Sequence, residues 1–300
     1  MSGPRVRVFV LGMAVLDHVF HVGDMPGSAA KYRADGYQAT VGGGAANAAA
    51  AIVRLGGEAR LAARLSDDGT SEQILAAAAD LGIDTSLCRR TAGATASVSS
   101  GLVDSDGERQ IMNFRGAGLD HSADWLSRTS LEGCAAVLVD TRWPNAAARA
   151  LALAGDAGIP GVVDAEPPFE GAEAVLEAAS HIAFPAEGAR IVTGRTALAD
   201  TARGVMDRFG QWTAVTDGGN GVYFSSGGDI AHQPANPVEV VDSLGAGDVW
   251  HGAFALALAE GRSEAEAVRF ASAAAALKCA NGTGWDAIPQ REDVMDLLDR

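Results

Sequence analysis

Short apolar runs alternate with Ala- and Leu-rich helical segments along almost the whole chain. That alternation restricts the fold more than any other feature. Val6–Leu11, Ala59–Leu65, Ala135–Asp140, Gly161–Asp164, Ile182–Phe184 and Thr213–Thr216 have the length and composition of buried strands. Ala45–Leu55, Ser71–Leu81, Asn145–Ala157, Leu198–Phe209, Ala246–Ala259 and Ser263–Cys279 read as helices, two of them closed by the stop pairs Gly82-Ile83 and Gly158-Ile159. Strands apolar on both sides need helices on both sheet faces, so the pattern predicts a doubly wound α/β core with a mostly parallel sheet. Tyr223–Phe224 and Ile230–His232 read as a late antiparallel pair. Three hundred residues at 48% hydrophobic content can bury one large core plus a small appendage.

Two segments break the rhythm. Residues 13–41 and 95–115 lack a helical period and read as extended, and Ser97–Val103 and Arg109–Phe114 flank the hairpin turn Asp104-Ser105-Asp106-Gly107. They are expected to form a separate small sheet, leaving 1–12, 42–94 and 116–300 as the α/β unit.

Chemistry is concentrated at Asp242-Ser243-Leu244-Gly245-Ala246-Gly247-Asp248, where two acids bracket a turn of small residues and a helix begins. Gly245 and Gly247 let successive N–H groups face one concavity, and the helix N-terminus adds positive potential suited to a phosphoryl group gaining charge. Asp248 stands where a carboxylate can take the proton of an attacking hydroxyl. A second cluster, Gly42-Gly43-Gly44-Ala45-Ala46-Asn47, opens a helix after the strand-like Tyr37–Val41; Asn47 offers a donor and an acceptor to sugar hydroxyls.

The formal charge of −15 argues against nucleic acid or an anionic membrane surface as partner. Lys31 and Lys278 are the only lysines, so positive charge in any anion pocket is scarce. Cys88, Cys134 and Cys279 lack metal-ligand spacing and read as buried thiols of a reducing compartment. The N-terminal Met-Ser-Gly-Pro-Arg-Val-Arg has no signal-peptide core, and no apolar run reaches membrane-spanning length, so a cytoplasmic location is expected and the sequon at Asn281 carries no weight.

The two glycine clusters together resemble the signatures of the ribokinase-like carbohydrate kinases, the PfkB family. Gly12-Met13-Ala14-Val15-Leu16-Asp17 is similar to the family's first strand and substrate-binding acid, and Thr216-Asp217-Gly218-Gly219-Asn220-Gly221 to its nucleotide-phosphate loop. No Walker A pattern competes. The resemblance implies Asp248 as general base and Gly245, Ala246 and Gly247 as the anion hole. It implies Asp17, Gly43, Gly44 and Asn47 as sugar contacts, and Thr216, Gly218 and Gly221 on the ATP phosphates. Asn281, Gly282 and Gly284 fall where adenine and ribose are held. It also implies magnesium, but the family's Asn-x-x-Glu pattern is replaced here by Phe184-Pro185-Ala186-Glu187. Glu187, Asp164 and Glu166 stay open as the groups that organise the ion. Some members bind a monovalent cation on backbone oxygens near Asp242 and Ser243, which the sequence leaves undecided. The extended segments correspond to a lid over the sugar that often pairs with a neighbour's lid, so a homodimer is expected.

Lys31, Asn113 and Arg142 fall in regions that, in such a fold, converge on the end of the sugar opposite the reacting hydroxyl. The trio suits an anionic group with several oxygens. With Ala30-Lys31-Tyr32, Val41-Gly42-Gly43-Gly44, Asp140-Thr141-Arg142-Trp143 and Ala274–Cys279, the resemblance narrows to the sulfofructose kinase branch, which phosphorylates the 1-hydroxyl of 6-deoxy-6-sulfofructose with ATP. Asn47, which varies in that branch, leaves a broader ketose specificity open. Ketohexokinase or fructokinase activity, a kinase of a 6-phosphoketose or of 2-keto-3-deoxygluconate, and a non-catalytic sugar sensor also remain open. A nucleoside kinase is disfavoured, since the substrate region shows no aromatic clamp.

Overall fold

The computed structural model describes residues 5–105 and 108–299. Its strands are β1 (Arg7–Gly12), β2 (Val15–His21), β3 (Gly36–Gly42), β4 (Glu58–Ser66), β5 (Arg89–Thr91), β6 (Val98–Val103), β7 (Arg109–Phe114), β8 (Cys134–Asp140), β9 (Gly161–Asp164), β10 (His181–Pro185), β11 (Trp212–Thr216), β12 (Val222–Ser226) and β13 (Asp229–Gln233). Its α-helices are α1 (Gly44–Arg54), α2 (Gly69–Leu81), α3 (Pro144–Ala157), α4 (Glu173–Ala178), α5 (Ala186–Thr193), α6 (Leu198–Phe209), α7 (Ala246–Ala259), α8 (Glu264–Asn281) and α9 (Arg291–Leu298).

The larger sheet runs β13-β12-β11-β10-β9-β8-β1-β4-β5, parallel from β5 to β11 and antiparallel through β12 and β13. Alternate residues of β1 serve opposite cores. Val8 and Val10 pack with α1, α2, α7, α8 and α9, whereas Phe9 and Leu11 pack with α3, α4, α5 and α6. A strand buried on both faces is the reason the run reads as continuously apolar. The short edge strand β5 was not foreseen, because three residues with two exposed arginines carry no apolar run.

Small side chains bring α1 and α7 together. A methyl group on Gly252 would come within 2.5 Å of the Ala48 carbonyl, so the helices approach to a distance that only glycine permits. This close packing sets the starts of both helices side by side at the carboxyl ends of the strands, where α/β sheets hold ligands.

The extended segments form the separate sheet β3-β2-β6-β7. β2 pairs antiparallel with β3 and parallel with β6, and β6 pairs antiparallel with β7. Of the expected hairpin turn, Asp106 and Gly107 lie outside the described residues, as does the Met1–Pro4 start. Among the described residues, no helix is long and apolar enough to cross a membrane.

Candidate active site

Asp248 lies in the first turn of α7, after Gly245 in the left-handed conformation (φ 75°). Its Oδ2 accepts a 2.7 Å hydrogen bond from Asn47 Nδ2 on α1, and Asn47 Oδ1 accepts from Trp285 Nε1 at 2.9 Å. Asn47, expected to contact sugar, therefore has one end of its amide on the Asp248 carboxylate and the other on the Trp285 indole. Trp285 was missed from sequence, although it follows directly on the glycines expected to serve the nucleotide.

A methyl group placed on Gly44 would sit 3.6 Å from a carboxylate oxygen of each of Asp140, Asp164 and Asp248. Burial pushes the Asp248 carboxyl up to about 7, the Asp164 charge adds to the rise, and the Asn47 hydrogen bond opposes it. Burial, with Glu166 and Asp140 nearby, holds the Asp164 carboxyl well above the usual range. Asp140, not singled out from sequence, ends β8 and accepts from the Met13 and Arg142 amides at 2.7 and 2.8 Å. His251, also missed, sits one turn after Gly247 and donates from Nδ1 to the Gly247 carbonyl at 2.7 Å. Burial lowers its pKa.

Asp140, Asp164 and Asp248 face a cavity of about 390 Å³ between the α/β unit and the small sheet. Asp17, Gly43, Gly44, Asn47, Asn113 and Arg142 line it, as do Gly245, Gly247, Asp248, Asp164, Glu166 and Gly284. Gly43, at φ 95°, cannot carry a side chain, because a Cβ would come within 2.5 Å of the Met13 carbonyl. Asp17 on β2 accepts a hydrogen bond from Ser99 Oγ on β6, and burial raises its pKa. Lys31 is exposed in the β2–β3 connection and is not in the cavity wall. Arg142 already has partners: Nη2 meets Glu166 Oε2 at 2.5 Å and Nη1 donates to the Pro167 carbonyl at 3.0 Å.

A second cavity of about 420 Å³ is lined by Thr216, Gly218 and Gly221, with Ser243, Ala246 and Gly247 on its near side and Trp250 and Ala275 deeper in. Gly247 lines both cavities. Asn281 and Gly282 line neither; Asn281 Nδ2 donates to the Ala287 carbonyl. Glu187 is exposed on α5 and away from both walls. Among the described residues, no three carboxylate, imidazole or thiol groups form a metal-binding cluster.

Residues 6–290 match the model of the pfkB family carbohydrate kinases. The chain belongs to the PfkB family. It is thus an ATP-dependent carbohydrate kinase with the ribokinase-like α/β fold. Ribokinase from Bacillus subtilis strain 168 is 26% identical over 295 residues, covering 97% of this chain and 99% of its own. A crystal structure from Agrobacterium tumefaciens, of a protein provisionally termed a ribokinase, superposes with a TM-score of 0.94 at 36% identity, covering 99% of this chain and all of that one. The structure of Arabidopsis thaliana ribokinase complexed with ribose and ATP has the same fold, with a TM-score of 0.84 at 24% identity over 99% of this chain and all of that one.

A carboxylate acts as a base only when ionised, so raising its pKa moves the loss of activity towards neutrality. With Asp248 as the base, kcat/KM for the sugar is expected to fall about tenfold per pH unit on an acid limb displaced above the ordinary carboxylate range, because burial raises the Asp248 carboxyl. A pH profile at limiting sugar and saturating Mg-ATP checks this, and an acid limb at the ordinary carboxylate pKa contradicts it.

Proposed function

We propose that this kinase transfers the γ-phosphoryl group of ATP to a primary hydroxyl of a ketose with an anionic tail. The best reading of the substrate is 6-deoxy-6-sulfofructose, giving its 1-phosphate. One observation supports the direction of transfer above all: Gly247 lies between a cavity holding Asp248 and a more apolar cavity behind the Thr216–Gly221 loop. Sugar in the first and nucleotide in the second would meet across the Gly245–Gly247 turn, where the Ala246 amide donates to the Ser243 carbonyl and the Gly247 amide, in the first turn of α7, has no acceptor within the helix. Asp248 would accept the proton of the attacking hydroxyl.

Magnesium fits this arrangement. Asp140, Asp164 and Asp248 converge on Gly44 without forming a metal cage by themselves, and the pair pushed up in pKa would be relieved by a cation. Asp164 and Glu166 face the cavity and would hold the ion with the nucleotide phosphates and water; Glu187 is placed too far out. When bound, the ion neutralises phosphate charge.

Arg142 and Asn113 on the cavity wall support an anionic tail, with the guanidinium as a planar fork. The Arg142–Glu166 pair and the exposed Lys31 favour a second reading, a neutral sugar such as fructose or the ribose bound by the Arabidopsis protein. An acceptor panel with Mg-ATP, containing sulfofructose, fructose, ribose, fructose 6-phosphate and 2-keto-3-deoxygluconate, separates them. Sulfofructose should give the highest kcat/KM, with the phosphate on O1; a preference for ribose or fructose would replace the first reading with the second.

The small sheet would act as the lid and as a homodimer contact. Tyr37, Met112 and Phe114 leave large apolar area exposed on it, and its outer strands β3 and β7 have unpaired edges. Met112→Glu combined with Tyr37→Glu should convert the dimer to monomer in sedimentation. An unchanged sedimentation coefficient would remove the lid as the contact.

A further inference from the structure

The last turn of α8 contains a lysine whose side chain is 2% exposed. Lys278 Nζ donates to the Asp242 backbone carbonyl at 3.1 Å and lies 3.8 Å from Asp242 Oδ2. A buried ammonium carries a large desolvation cost unless oxygens and an opposite charge surround it. Here the carboxylate of Asp242, its carbonyl and the negative end of an 18-residue helix supply them.

Asp242 is itself tied down. Its Oδ1 accepts from the Leu244 amide at 2.8 Å, and the Val241 and Asp242 amides both donate to the Cys279 carbonyl, at 2.9 and 3.1 Å. The chain leading into Gly245–Gly247 is thus fastened to the end of α8 on both sides of Asp242. The Ser243 carbonyl accepts from the Ala246 amide at 3.2 Å. The two backbone oxygens that a monovalent cation would be expected to use already face N–H donors, one of them positively charged. An ion beside the ammonium would place two like charges in one buried site, so these residues do not fit a dissociable potassium or sodium ion.

We infer that Lys278 is a built-in replacement for a monovalent cation: its ammonium pins Asp242 and keeps the anion-hole turn in register without a dissociable ion. The inference rests on the assignment of Gly245–Gly247 as the anion hole. Lys278 acts here as a positioning residue, through Asp242 and the turn.

The test compares the thermal unfolding midpoint and the ATP turnover of the protein in potassium chloride and in choline chloride at equal ionic strength. For the unsubstituted protein, both should be the same in the two salts. A saturable rise of either with potassium alone overturns the inference. Lys278→Ala should lose roughly 10²-fold in turnover through misplacement of the turn. It should gain a potassium-specific rise in unfolding midpoint, with partial recovery of turnover. A Lys278→Ala protein that folds and turns over as before in both salts also overturns the inference. Should that variant not fold, the unsubstituted protein decides alone. The unfolding comparison needs neither sugar nor nucleotide, so it separates an error about the cation from an error about the reaction.

Discussion

Replacing Asp248 by Asn should lower turnover by roughly 10²–10⁴-fold, the usual contribution of a positioned general base. The substitution removes the charge and keeps the shape. The Asn47 amide still meets an oxygen, and α7 keeps its packing against α1. Burial raises the Asp248 carboxyl to about 7, so Asn relieves an unfavourable buried charge, and stability should not fall. The loss should appear in kcat with little change in the KM for ATP, because the second cavity, proposed for the nucleotide, is walled by Thr216, Gly221 and Ala246 instead. Single-turnover phosphoryl transfer to the sugar measures the chemical step directly. Turnover equal to that of the unsubstituted protein would remove Asp248 from its role.

Truncation of Arg142 to Ala should cost about 2–5 kcal/mol in kcat/KM with an anionic sugar and much less with a neutral one. Arg142 stands in the cavity wall with its side chain 14% exposed, so an anion meeting it there is largely desolvated. Its present partner Glu166 is 61% exposed, and such a pair contributes little by itself. Glu166 can therefore leave Arg142 for the proposed magnesium position when an anion arrives. If Arg142 only steadies Glu166 and the Pro167 carbonyl, the loss should be equal for sulfofructose and fructose. That result would reject the anion pocket and leave the kinase intact. The ratio of the two kcat/KM values decides, since it cancels any general effect on folding.

The fold was legible because each element carries its own signal. β1 is apolar on both sides, and the helix-closing glycines Gly82 and Gly158 adopt the left-handed conformation expected of such stops. The lid was legible as an interruption of that rhythm. Gly245–Asp248 could be singled out as a candidate phosphotransfer turn because its small residues and its acid are consecutive, and these residues line the two cavities. Residues whose roles depend on distant neighbours were harder. Asp140 looks like any acid ending a strand, and only the Met13 and Arg142 amides show it to be locked in place. Trp285 and Asn47, 238 positions apart, meet only in the folded chain, where the turn after α8 packs on α1. His251 reads as part of an apolar helix until its hydrogen bond to Gly247 is seen.

Local pattern alone determined the α/β class and the separate small sheet, and it marked Gly245–Asp248 as the candidate turn, because periodicity and turn chemistry act over a few residues. Tertiary structure alone decided which acids share the buried centre, that Asn47 serves Asp248, that Arg142 and Asn113 reach the cavity while Lys31 stays exposed outside its wall, and that Lys278 lies beneath the turn. Those outcomes depend on burial and on contacts between elements far apart in the chain. Neither residue type nor spacing encodes the solvent exclusion that raises a carboxyl pKa or the close approach that seats an ammonium on a carbonyl.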